Sequence, residues 1–280
     1  MNNLNTTTIL LILITSCQPN LSKTKEMSTP YQLIWSDEFD KDGVPDSSKW
    51  RFEKGFVRNK EAQWYQAENT ICAGGNLVIT GIKDHQPNPN YQSGSDSWKT
   101  NRPFIEYTSS SVVMLQEHAF NYGRLEVRAK IDVQTGLWPA IWTLGVSGEW
   151  PSNGEVDIME YYNDGLLANF AIADTGRHKA IWNGSFHKLD SLGGKTWADT
   201  FHIWAMEWDK DSMQLLLDGT LLNTMKISNS VNKSDGKNPF QQPHYLLLNL
   251  AMGGTRGGSL EHTILPATFM VDYVRLYQKK

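Results

Sequence analysis

The chain has 280 residues, 40% of them hydrophobic, and a formal net charge of −4. This size suits one large domain, or at most two. Mild acidity argues against a nucleic-acid binder, which would carry a basic surface.

The elements begin with a segment that does not read as part of the fold. Ile9 to Ile14, "ILLILI", is far shorter than the roughly 20 apolar residues of a membrane span. It is followed by "ITSC", with Cys17 after small residues. The pattern resembles a bacterial lipoprotein signal, in which cleavage precedes the cysteine and the new N-terminus is lipidated. Residues 1–17 are then a signal segment ending at the lipidated Cys17, which anchors the protein in a bacterial membrane, the outer one. The segment "MNNLNTTT" carries no Lys or Arg, whereas signal n-regions are usually basic. An ordinary cleaved signal, giving a secreted or periplasmic protein, is the alternative. Residues 18–30, "QPNLSKTKEMSTP", are polar, contain two Pro and lack apolar periodicity. They read as a flexible tether. The only other cysteine is Cys72. With Cys17 lipidated, the domain at 31–280 has no disulfide and depends on a large core. A monomer is expected.

From Tyr31 onward the sequence reads as short strands separated by turn residues. "NLVITGI" (Asn76 to Ile82) and "SSVVML" (Ser110 to Leu115) are apolar and β-branched. Between them, His85 to Pro103 is rich in Pro, Asn, Gly and Ser, and reads as a surface loop and a candidate cleft wall. In "GRLEVRAKI" (Gly123 to Ile131), Leu125, Val127, Ala129 and Ile131 point one way, and Arg124, Glu126, Arg128 and Lys130 the other. "MQLLLDGTLL" is a hairpin signal turning at Asp218-Gly219. "YLLLNLAM" and "FMVDYVRLY" add two more strands. No long helical period and no 20–50-residue repeat is found. The pattern predicts an all-β fold, a two-sheet β-jelly-roll sandwich.

One stretch breaks the apolar pattern. "NGEVDIMEYYN" (Asn153 to Asn163) places Glu155, Asp157 and Glu160 among Val156, Ile158 and Met159. Alternate strand residues share a face, so Glu155 and Asp157 lie together and Val156 and Ile158 face the core. A regular strand would then bury Glu160, which is costly for an unpaired acid. One extra residue, a β-bulge at Ile158–Met159, restores the parity and brings Glu160 beside Asp157. Crowded like charges cannot all ionise cheaply, so at least one pKa should rise. A retaining glycosidase needs such a split: one carboxylate ionised for attack, another protonated for the leaving oxygen. A solvated acidic face or a cation site is the bland reading of a short E-x-D-x-x-E. "VDIME" is too apolar for a loop-type calcium site. In the preceding "GLWPAIWTLG", Trp138, Ala140 and Trp142 share a face opposite Leu137 and Ile141. Eleven Trp and ten Tyr are a heavy aromatic load. Most belong in the core, but two indoles beside the acids would suit a sugar groove.

"GEVDIMEYY" resembles the active-site strand of glycoside hydrolase family 16, in the form that carries the extra bulge residue. "IWSDEFD", "NKEAQWYQAENTICAGGNLVI", "GRLEVRAKIDVQTGLWPAIWTLG", "FHIWAMEWDKDSMQLLLDGTLL", "HYLLLNLAMGG" and "FMVDYVRLYQ" fit the rest of the family in order, covering nearly all of residues 31–280. The resemblance implies a jelly roll whose concave sheet holds an open substrate cleft, and retaining hydrolysis of internal β-glycosidic bonds. Carried over by position, Glu155 is the nucleophile, Glu160 the acid/base, and Asp157 the assisting group that hydrogen-bonds the nucleophile. Trp138 and Trp142 match sugar-stacking positions. Catalysis needs no cofactor. A structural Ca²⁺ is implied at Asp272 and Gly75. The family's laminarinase-like members usually carry His-Gly in the strand after the acids. Here the chain reads "LLANFAIADTGRHKAIWNGS", with Arg177, His178 and Lys179 clustered. Arg177 and Lys179 are therefore candidate substrate contacts, since such groups pair with sulfate or carboxylate. The polysaccharide expected first is a laminarin-like β-1,3-glucan. A sulfated or other algal galactan is the alternative, and a non-catalytic carbohydrate-binding sandwich is the alternative of another class. Whether water or a second sugar takes the intermediate is left open.

Overall fold

The computed structural model describes residues 31–280; the signal segment, Cys17 and the tether at 18–30 lie outside the described residues. In chain order the strands are β1 Tyr31–Asp37, β2 Trp50–Phe52, β3 Gln63–Tyr65, β4 Thr70–Ala73, β5 Asn76–Pro87, β6 Phe104–Ser109, β7 Ser111–Met114, β8 Gly123–Ile131, β9 Leu137–Gly145, β10 Glu155–Tyr162, β11 Gly165–Ala173, β12 Ala180–Lys188, β13 His202–Trp208, β14 Ser212–Leu217, β15 Thr220–Lys226, β16 His244–Met252 and β17 Ala267–Lys279. They form two sheets. One runs β15-β14-β13-β8-β17-β5-β6-β3, with β1 added on β17 and β4 on β5; the other runs β12-β11-β10-β9-β16-β7-β2. Pairing is antiparallel throughout except for β3 on β6. Some neighbours in space are distant in sequence, as β9 and β16 are. This is the expected jelly roll.

Alternation in the sequence decides which side chains meet between the sheets. Leu125 and Val127 of β8 and Phe269, Val271, Val274 and Leu276 of β17 pack against the inner face of the other sheet. That face presents Leu137 and Ile141 of β9, Val156 and Ile158 of β10, Phe170 of β11 and Leu248 of β16, all in one core. Each fully buried side chain of this size contributes about 1.5–3 kcal/mol. The core is therefore large enough to leave Cys72 as a buried thiol.

The hairpin at Asp218-Gly219 forms as read. Both residues take positive φ, 49° and 80°, the pairing required by a tight turn between twisted strands. One expectation gains a detail and one needs correction. The charged row of β8 faces away from Leu125 and Val127, as read, but part of it is buried. Arg124 and Glu126 are buried, Arg124 Nε donating to Glu126 Oε1 at 2.7 Å and its Nη1 to Glu207. Pairing removes the cost of burying either charge alone. The stretch His85 to Pro103 begins as strand, since β5 runs on to Pro87. Its Arg102 donates to the carbonyls of Glu61 and Lys60 at 2.8 and 3.2 Å. It braces the segment behind the cleft and contributes none of the cleft's lining residues.

Candidate active site

The site is built on β10 and its neighbours. β10 starts where Gly154 takes a φ of +75°. A Cβ there would lie 2.7 Å from Pro239 Cβ, so only glycine fits the entry to the strand. The register then slips between Asp157 and Glu160 against β11, and between Asp157 and Met159 against β9. The extra residue falls at Ile158–Met159. Both of these side chains are fully buried in the core, and Glu160 turns to the cleft with Glu155. The bulge therefore has a sequence cause: two consecutive apolar residues both claim the core.

Three strands lay their residues in matching rows across the outer face of this sheet. Glu155 pairs with Ala171, Asp157 with Asn169 and Glu160 with Leu167. On the other side, Leu144, Trp142 and Ala140 stand opposite Glu155, Asp157 and Glu160. These rows form the floor of a cavity of about 690 Å³. One wall is made by Arg58 and Asn59 with Thr255 and Arg256, the two segments being tied by Thr255 N donating to Asn59 O at 2.9 Å.

Each acid has a different set of partners. Glu155 accepts a hydrogen bond from Trp150 Nε1 and another from Asp157, and Arg58 is a nearby positive charge. Burial still lifts its pKa above the usual carboxylate range, but these partners all favour the ionised form. Asp157 is 4% exposed. Burial first, then the charges of Glu155 and Glu160, push its carboxyl well up, so it holds a proton and donates it to Glu155. Asn169 Nδ2 fixes its other oxygen at 3.1 Å and reaches Glu160 Oε2 at 3.4 Å. Glu160 accepts from Trp138 Nε1 at 2.6 Å. Burial, reinforced by the charge of Glu155, pushes it up to about 7. The three titrate as a coupled group. The set can offer an ionised carboxylate at Glu155 and a protonated one at Glu160, the two states that double displacement at an anomeric carbon requires.

The sequence-derived binding residues divide. Trp138 and Trp142 both line the cleft, but at 6% and 7% exposure they are largely buried. Trp142 donates Nε1 to Asn249 Oδ1 at 2.7 Å, and the Arg58 guanidinium lies over its ring at 5.0 Å. Arg177 and Lys179 are exposed in the turn between β11 and β12 and are not among the cleft-lining residues. Only His178 of that turn reaches back, with Nδ1 3.3 Å from Trp150 O. The cleft's cations are instead Arg58 and Arg256. Arg58 is held by Glu53, which also accepts from Ser111 Oγ at 2.6 Å; Arg256 lies 5.8 Å over Tyr162. The residues carried over for a structural calcium are Asp272 and Gly75. Asp272 is the extra residue at a register slip in β17, and Arg128 Nη1 sits 2.6 Å from its carboxylate, so a cation there would share that carboxylate with the guanidinium. Among the described residues no three His, Cys, Asp or Glu side chains group as metal ligands.

Trp150, Asn169, Tyr162 and Trp182 complete the cleft and were not singled out by sequence. Asn169 had a usable signal, an amide in an otherwise apolar strand. Trp150 sits in a loop and had none.

An all-β sandwich with an open, aromatic cleft over a row of three coupled acids defines a polysaccharide-cleaving glycosidase. Comparison with known proteins agrees. The family described as Glycosyl hydrolases family 16 matches residues 89–275. The β-glucanase of Rhodothermus marinus is 32% identical over 97% of this chain and 94% of its own. Among solved structures, LamAcat from Zobellia galactanivorans is 33% identical, with a TM-score of 0.70 over 88% of this chain and 97% of that one. A protein from the endo-acting O-glycanases that human gut bacteria express to initiate mucin breakdown is 35% identical, with a TM-score of 0.80 over 91% of this chain and 93% of that one. The chain belongs to glycoside hydrolase family 16, and it is an endo-β-glycosidase.

Proposed function

We propose that the protein cleaves internal bonds of a laminarin-like β-1,3-glucan with retention of configuration. Glu155 is the nucleophile, Glu160 the acid/base, and Asp157 the proton-holding partner that keeps Glu155 ionised. The observation that carries this reading is the row Glu155, Asp157, Glu160 on one face of a bulged strand, with different hydrogen-bond partners for each acid. In the first step Glu155 attacks the anomeric carbon, and Glu160 gives its proton to the departing glycosidic oxygen. In the second, Glu160 as base takes a proton from water, which attacks the same carbon and releases Glu155. The β-glucanase of Rhodothermus marinus supports the glucan. The domain at 31–280 carries the whole activity, acts as a monomer, and is exported and tethered by lipid on Cys17 through residues 18–30.

A second reading has two observations behind it. The O-glycanase likeness has the higher TM-score, 0.80 against 0.70 for LamAcat, and the strand after the acids lacks His-Gly. On that reading the polymer is a mucin-type glycan. Incubating the enzyme with laminarin, mixed-linkage glucan, agarose, porphyran, carrageenans and mucin O-glycans, and sizing the products, decides between them. Laminarin should yield a ladder of oligosaccharides. No laminarin products at high enzyme, with products from another polymer, would end the glucan reading.

A further inference from the structure

The edge strand β12 carries a feature that the catalytic row does not use. Register places Trp182 opposite Ala171, Gly184 opposite Asn169 and Phe186 opposite Leu167. Those three residues of β11 stand opposite Glu155, Asp157 and Glu160. Directly paired residues of antiparallel strands share a face. Trp182, Gly184 and Phe186 therefore form a third row on the cleft side of the sheet, two strand spacings or roughly 9.5 Å from the acids.

The two aromatics are the unusual part. Each is 49% exposed, while Trp138 and Trp142 beside the acids are nearly covered. Along the strand they stand about 13 Å apart, with glycine between them. Both ends of the row connect to the cleft. Trp182 lines its cavity. Phe186 leans back over β11: a Cβ on Gly165 would come within 2.3 Å of its Cζ, and Gly165 pairs with the cleft residue Tyr162. Two glycines, Gly165 and Gly184, thus keep the floor low where the rings rise. Two half-exposed rings separated by a glycine floor and continuous with a sugar cleft make a shelf that fits the apolar face of a sugar ring.

We infer that β12 is an outlying subsite, in which Trp182 and Phe186 hold sugar residues of the polymer beyond those at the scissile bond. This rests on the endo-glycosidase reading of the cleft and adds to it where the chain runs on. An occupied outlying subsite favours long substrates over short ones, because binding there adds interactions that a short oligomer cannot reach.

The test compares Trp182→Ala and Phe186→Ala with the unmutated enzyme on two oligosaccharide ladders, laminari-oligosaccharides and mucin-type glycan oligomers, each from trisaccharide to hexasaccharide. The readout is the ratio of kcat/KM on the hexasaccharide to that on the trisaccharide. Each variant should lower this ratio by about 3- to 10-fold, the size of one lost aromatic contact. Trp182→Phe should recover most of the loss. Melting curves check folding, and half-exposed side chains should leave them nearly unchanged. An unaltered ratio, or equal losses on both lengths, would overturn the subsite. Cleavage of the mucin ladder alone would sink the glucan reading while leaving the subsite to be judged on that ladder. An enzyme that cleaves neither ladder overturns both.

Discussion

At the scale of single residues the site depends on proton placement. Glu155→Gln and Glu160→Gln should each lower turnover by roughly 10²–10⁴-fold, the usual range for such groups. Azide separates their roles. Glu155→Ala with azide should give an α-glycosyl azide by direct displacement. Glu160→Ala should give the β-anomer, mainly from substrates with good leaving groups. Product stereochemistry exchanged between the two variants would reverse the assignment. The pH profile follows from Glu160, pushed up to about 7. Activity should fall as pH rises through that value, because the acid loses the proton it must donate. Stability should move the same way. The folded state keeps this proton from about pH 4.5 to 7 while the unfolded chain loses it, so stability declines across that window. Glu160→Gln should therefore raise Tm more at pH 8 than at pH 4. An equal shift at both would show that the burial cost is not felt. The three acids could be read from sequence because charge in an apolar strand violates a strong rule. Trp150 and the cleft cations could not, since only tertiary register brings them to the acids. Arg177 and Lys179 follow β10 closely in sequence, yet they are not among the residues that line the cavity.

Among elements, the bulge in β10 is the most consequential. Ile158 and Met159 are both fully buried, and this pair forces the slip that turns Glu160 outward. Deleting Met159 leaves E-V-D-I-E, which keeps all three acids on one face of a regular strand. Val156 and Ile158 would still fill the core, so the protein should fold. Glu160 would shift relative to Trp138 and Asn169, and a site of this kind tolerates only about 0.5 Å of displacement. The deletion variant should melt cooperatively and turn over far more slowly. Near-normal kcat in a folded deletion would show that the bulge is dispensable. The bulge itself was legible, because parity of polar and apolar residues demands it. The rows across β9, β11 and β12 were not. Register between strands is set by pairing partners and turns, and one chain's alternation does not say which residue of the next strand stands opposite. That is why the alternation around Trp138 and Trp142 was right about their face and silent about their partners: Asn249 and Arg58 hold Trp142, and Glu160 and Tyr162 hold Trp138.

For the whole molecule, the question is how a catalytic sandwich meets a polymer. The sheets are held by one continuous apolar core, in which Cys72 is a free, buried thiol. A polysaccharide too large to enter a cell must be cut outside it, and an open cleft admits the middle of a chain where a closed pocket would admit only its end. The lipid proposed on Cys17 fits this arrangement. A single acyl chain binds a bilayer only marginally, whereas two or more anchor stably at about 0.8 kcal/mol per buried methylene. The full-length protein expressed in a bacterium should therefore incorporate labelled palmitate and sediment with membranes. Cys17→Ser should abolish the label and move the enzyme to the soluble fraction. Its kcat on soluble polymer should stay the same, because the acids and the cleft all lie within residues 31–280. Equal labelling of both proteins, or an unlabelled soluble full-length protein, would replace the anchor with an ordinary cleaved signal.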